Sequence, residues 1–162
     1  MPVINISELP VHKGSDLGGS YPAPFDAACK LYEAVELGDA VGLTQFGVGI
    51  EKLLPGGMSS QRHWHENEDE FLYMLTGEVI LVEDDGEHTI TEGMAVGWKA
   101  NDPNGHHLIN RSNEPAFYLI MGARAENDTA HYPDIDLHYS CKDGERQFTH
   151  KDGTPYKEEI GE

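Results

Sequence analysis

The reading of the fold turns on Gly57 to Gly77, GMSSQRHWHENEDEFLYMLTG. Two histidines flank a tryptophan, the polar stretch ENED follows, and the apolar run FLYML leads to Gly77. In an extended chain alternate side chains share a face, so His63 and His65 point into one space while Trp64 points the other way. Glu70 lies five residues past His65, at the start of the apolar run. If that run pairs antiparallel with its neighbour, Glu70 folds back beside both imidazoles. An isolated His-x-His is commonly just a strand with polar alternation; here the spacing continues in register and supplies N, N and O donors from one hairpin-like unit.

The surrounding residues agree with strands. From Gly42 onward, short apolar or alternating runs (GLTQFGVGIEKLL, EFLYML, EVILVE, AVGWK, HHLIN, AFYLIMG) are separated by Gly, Pro, Asn and Asp. This spacing predicts an all-β antiparallel sandwich or barrel. DDG at 84 to 86 predicts a tight hairpin, with Asp-Gly supplying positive φ, and SNEP at 112 to 115 predicts a loop with Pro115 at the edge of the next strand. FDAACKLYEAVELG, 25 to 38, suits a helix or a strand paired through LGDAVG, and the strand is preferred. The expected organisation is one domain over 1–162, with an arm over 1–41, a barrel core over 42–123 and an extended tail over 124–162 wrapped on the barrel.

Charge narrows the partners. Eleven Lys plus Arg against 29 Asp plus Glu give a formal net charge of −18, which repels nucleic acid and anionic lipid. The N-terminus MPVINISELPVHKG lacks the basic start and apolar core of a secretory peptide, so a cytoplasmic location is expected. Cys29 and Cys141 lack Cys-x-x-Cys spacing and read as reduced thiols. No nucleic acid and no membrane partner are expected; a homodimer is, because edge strands of a barrel are often covered and the arms are long enough to reach a partner.

The opening stretch resembles the first motif of the cupin superfamily: Gly, five residues, His-x-His, three or four residues, Glu, six residues, Gly. Gly57, His63, His65, Glu70 and Gly77 meet every fixed position. The second motif, Gly, five residues, Pro-x-Gly, two residues, His, three residues, Asn, is similar to Gly97, Pro103, Gly105, His106 and Asn110, but the two residues before the histidine are missing. Counting from Pro103 lands on Leu108, which offers no donor; His106 shares a strand face with Asn110 and is preferred, with His107 as the fallback. The resemblance covers roughly residues 42 to 123 and extends to a group of small single-domain bacterial cupins. It implies a double-stranded β-helix, or jelly-roll barrel, with N- and C-terminal extensions. It also implies one divalent transition metal ion (Fe, Mn, Ni or Zn) on His63, His65, Glu70 and His106, with two positions open for water or substrate.

Glu70 is the candidate catalytic residue. Tyr73, Trp98, Lys99 and His107 are candidate substrate contacts, Lys99 for an anionic group. Arg62 alternates away from the His63 face. His88, His131, His138 and His150 read as surface residues, and Glu66, Glu68 and Asp69 as a solvated turn. The preferred activity is metal-dependent and directed at a small polar molecule, a sugar or sugar phosphate, by aldose-ketose isomerisation. An Fe(II) dioxygenase is the alternative, and a non-catalytic binding or sensing cupin is the third reading.

Overall fold

The computed structural model describes residues 3–14 and 21–156. Its strands are β1 (His12–Lys13), β2 (Tyr32–Glu36), β3 (Phe46–Leu53), β4 (Trp64–His65), β5 (Glu70–Thr76), β6 (Glu78–Glu83), β7 (Gly86–Thr91), β8 (Ala95–Trp98), β9 (His107–Ile109), β10 (Ala116–Ala123), β11 (Asp128–His131), β12 (His138–Lys142) and β13 (Glu145–Thr149). A single α-helical turn, Leu37–Ala40, joins β2 to β3. The predicted strand in KLYEAVEL is therefore present as Tyr32–Glu36, antiparallel to β3. No helix among the described residues is long and apolar enough to cross a membrane.

The chain is an antiparallel jelly roll. One layer is a six-stranded sheet in the order β1-β2-β3-β10-β5-β8; the others are β7-β6-β9 and β13-β12-β11-β4. Isolated antiparallel bridges Met58↔Ile109 and His63↔His106 carry β9 on to the segment leading into β4, joining the smaller sheets edge to edge. Leu53, Leu72, Met74, Ala116 and Tyr118 from the large sheet pack against Val79, Leu81, Ile90 and Leu108 in one buried cluster. Each fully buried leucine there contributes about 1.5–3 kcal/mol relative to exposure.

The large sheet's inner face changes character along its strands, and this places the site. The register sets Leu53 opposite Ala116, Glu51 opposite Tyr118, Gly49 opposite Ile120 and Gly47 opposite Gly122, with Met74, Leu72 and Glu70 beside Tyr118, Ile120 and Gly122. One end is plugged by large apolar groups. Toward the other end, glycines leave space and Glu70 supplies charge.

Two expectations need correction. The hairpin at 84 to 86 turns on Asp84 and Asp85, since Glu83 pairs with Gly86; positive φ (131°) falls on Gly86, outside the central pair. A turn with both central residues at positive φ, as a type I′ hairpin requires, lies instead at Asp143 (52°) and Gly144 (82°), between β12 and β13. The tail is no extended wrapping: residues 128–149 supply β11, β12 and β13, of which β11 pairs with β4 and the other two follow in order outward. Ala130, Tyr132 and Leu137 form a second buried cluster there, because alternation sends Asp128, Ala130 and Tyr132 inward.

Candidate metal centre and active site

His63 and His65 share a face as the alternation predicts, with ring centroids 4.8 Å apart. Trp64 lies on the other face, stacked on His131 at 4.2 Å. Glu70 opens β5 and His106 sits just before β9, held to His63 by two backbone hydrogen bonds: His63 N–H donates to the His106 carbonyl (3.1 Å) and His106 N–H to that of His63 (2.9 Å). Glu70 Oε2 lies 2.9 Å from His106 Nε2 and 3.9 Å from His65 Nε2. Donor atoms of His63, Glu70 and His106 all fall within 4.8 Å of one another, a group that could hold a metal ion.

The supporting bonds suit that use. His63 Nδ1–H donates to the Gln61 carbonyl at 2.8 Å, and His65 Nδ1–H to Asp128 Oδ2 at 2.5 Å. Both bonds leave Nε2 with the lone pair, the tautomer a metal needs. His106 differs: its Nδ1 is buried without a hydrogen-bond partner among the described residues, and its ring stacks on Trp98 at 3.9 Å. Burial lowers the His63 pKa to about 4, with the neighbouring imidazoles adding to the effect against Glu70. Burial also acts to lower His65, but the Asp128 bond and the charges of Glu70 and Asp128 outweigh it and raise its pKa. Burial works to raise Glu70, yet the His106 bond and the three imidazoles bring it down to about 2.

His63 and His65 reach a cavity of about 890 Å³ whose wall also includes Glu36, Gly47, Gly49, Glu68, Gly122, Asp128, Tyr132 and Arg146. Glu70 and His106 are not part of the cavity wall, although Glu70 packs next to Gly122, which is. Tyr132 stacks on His63 at 5.7 Å.

The expected substrate contacts fall elsewhere. Tyr73 is outward-facing and 40% exposed, because β5 alternation puts Leu72 and Met74 inside. Lys99 is exposed beyond the end of β8 and away from the cavity. Trp98 supports His106 from behind and donates Nε1–H to Glu83 at 2.9 Å. His107 alternates away from His106, its Nδ1 3.2 Å from the Ser60 carbonyl. Leu108, where strict counting landed, is core. Asn110 is fully buried and structural: its amide donates to the carbonyls of Leu53 and Glu114, and its oxygen accepts from Ser112. Arg62 faces away as predicted, paired with Asp84 and Asp134.

A cupin domain model matches residues 49–122. A crystal structure of a cupin-superfamily sugar phosphate isomerase from Silicibacter pomeroyi is 38% identical, superposes with a TM-score of 0.89, and is matched over 99% of this chain and 100% of that one. This chain is a cupin. A putative sugar phosphate isomerase from Acidithiobacillus ferrooxidans is 28% identical, with a TM-score of 0.70 over 78% of this cupin and 82% of that chain. A polyketide cyclase from Streptomyces resistomycificus (17% identity, TM-score 0.61, 76% of this chain and 79% of that one) shares the fold. No curated protein matches the cupin.

Sequence reasoning missed Asp128, Glu68 and Tyr132. The turn ENED is solvated at Asn67 and Asp69, as expected, but it is also pinned: Glu68 accepts from Ala125 N–H (2.9 Å), Asp69 from Ala100 N–H (2.7 Å), and Glu66 lies 2.8 Å from His131. The only sequence trace of Asp128 is its alternation with Ala130 and Tyr132, which names no partner.

Proposed function

We propose that this cupin is a metal-dependent enzyme acting on a small sugar-like molecule, with sugar phosphate isomerisation as its activity. The observation carrying this reading is the full-length 38% identity to the Silicibacter isomerase. His63, His65, Glu70 and His106 are the proposed ligands of one divalent transition metal ion. When bound there, such an ion would polarise an open-chain sugar's carbonyl and neighbouring hydroxyl, making the intervening carbon-bound proton acidic.

This chain's own residues handle that proton. Glu70 is engaged with His106, so its catalytic part is to hold charge and position. Glu68 lines the cavity near His65, with Oε1 fixed by Ala125 N–H. It is placed to take the proton from C2 and return it to C1 as the hydroxyl proton passes between the two oxygens.

The test is metal content of the protein purified without added metal, then aldose-ketose assays on a panel of sugar phosphates with oxygen uptake followed in parallel. Isomerisation without oxygen uptake is expected. Glu68→Gln should lose about 10²-fold or more in kcat with metal retained. Iron with substrate-dependent oxygen uptake would replace this reading with a dioxygenase; tight sugar binding with no turnover would replace it with a sensing protein.

The proposed assembly is a homodimer in the cytoplasm. Both cysteines are free, in keeping with a reducing compartment. The outer face of the large sheet exposes Phe46, Phe71 and Tyr73 around half-buried Ile50, Leu119 and Met121. Its charges include Lys52 and Glu33, paired with each other at 3.0 Å, and the exposed Lys13, in register with Glu33. This face carries little of the acidic excess behind the net charge of −18, so two chains can meet on it with little repulsion.

A further inference from the structure

The cavity holds a basic group whose role the metal centre leaves unexplained. Of the chain's arginines, Arg62 pairs with Asp84 and Asp134, Arg111 with Glu87, and Arg124 with Asp39. Arg146 has no carboxylate partner among the described residues, although acids outnumber bases by 29 to 11. It nevertheless lines the cavity that His63 and His65 reach.

The register explains how. Across the four-stranded sheet His65, Ala130, Tyr139 and Phe148 are successive partners, and the parallel row two residues along is Asp128, Cys141 and Arg146. Residues two apart share a face, so Arg146 projects on the same side as His65 and as Asp128, which holds it. Three strand spacings of about 4.8 Å and an offset of two residues, about 6.7 Å, separate the His65 and Arg146 backbones by roughly 16 Å, and both long side chains shorten that span. Arg124 lies across the cavity, but its guanidinium is spent on Asp39 and the Leu43 carbonyl. Among the described residues four acids also line the cavity, Glu36, Asp39, Glu68 and Asp128; Asp39 is paired with Arg124, Asp128 with His65, and Glu68 accepts from Ala125 N–H. Asp128 uses its other oxygen on Asn67 N–H, whereas the second oxygen of Glu68 can accept a hydrogen bond, which suits a hydroxyl group.

We infer that Arg146 is the residue that selects an anionic group, phosphate or carboxylate, on a sugar or polyol whose carbonyl end lies at His63 and His65. The planar guanidinium offers paired donors that match either anion. This inference rests on the sugar-directed reading above and adds the residue that recognises the charged end.

The test is calorimetric titration of the metal-loaded protein with glucose, glucose 6-phosphate and glucuronate, in the wild type, Arg146→Gln and Arg146→Lys. At least one anionic sugar should bind more tightly than glucose. Arg146→Gln should erase that preference, by about tenfold or more, while leaving glucose affinity, metal content and melting temperature unchanged. Arg146→Lys should keep part of it. The favoured anion tells phosphate from carboxylate. A preference that survives Arg146→Gln, or its absence from the wild type, overturns the inference. A preference lost with Arg146 in a protein that isomerises no sugar phosphate would leave the inference standing and remove the isomerase reading.

Discussion

At the residue scale, the site depends on groups that touch no substrate. Asp128 is buried, accepts from His65 Nδ1–H and also from Asn67 N–H, and its pKa is lowered: burial opposes this, but the His65 bond prevails. Asp128→Asn keeps the shape but loses the charge that orients His65, so metal affinity should fall about 10–100-fold in a competition titration against a chelator. His63→Ala or His65→Ala should abolish stoichiometric metal, and His106→Ala should weaken it strongly. Glu51 makes a different prediction. Burial raises its carboxyl from 4.5 to about 7, against a hydrogen bond from Tyr118 at 2.7 Å. A raised folded-state pKa means that the folded chain holds more protons than the unfolded chain between those values. Stability from this group therefore falls as pH rises from 4.5 to about 7. Glu51→Gln keeps an acceptor for Tyr118 and should flatten that part of the stability profile, with a gain at pH 8 of at most about 3 kcal/mol by denaturant unfolding.

At the element scale, the strands after residue 127 are part of the working fold. β11 pairs with β4 through Ala130↔His65 and His131↔Trp64, so it holds the backbone that presents the histidines. Leu137 is 1% exposed in the cluster behind Tyr132. Leu137→Ala should cost about 2–5 kcal/mol in denaturant unfolding. Ending the chain after Gly122 would strip the cover from β4 and remove Asp128. That truncated protein should precipitate or fail to bind metal, and recovery of a soluble, metal-loaded product would show that the three strands are dispensable. The β5–β6 connection shows a turn set by packing: Gly77 has φ 83°, and a Cβ there would lie 3.0 Å from Ala116 Cα and the Pro115 carbonyl oxygen.

At the scale of the whole molecule, a jelly roll with one plugged end leaves a single sense in which its inner space opens, and the histidines stand at that end. The proposed dimer would form on the outer face of the large sheet. Light scattering should give twice the mass of the 17.9 kDa chain, and Phe71→Glu, which places a charge among the exposed apolar groups of that face, should give the single-chain mass. The single-chain mass in the wild type would remove the dimer.

The sequence alone carried the all-β class, most of the strands between Phe46 and Ala123, and the face shared by His63 and His65. These rest on period-two alternation and on motif spacing, both local properties of an extended chain. It also singled out His106 over Leu108, because only one of the two offers a donor. Only the tertiary structure decided the remainder. Tyr73 and Lys99 are excluded by which face of β5 turns inward and where β8 ends. Asp128 meets His65 across 63 residues, Glu68 is pinned by Ala125 across 57, and Arg146 joins their wall through two further strand pairings. Such contacts are set by strand order and register between distant segments, which no local pattern of residue types encodes.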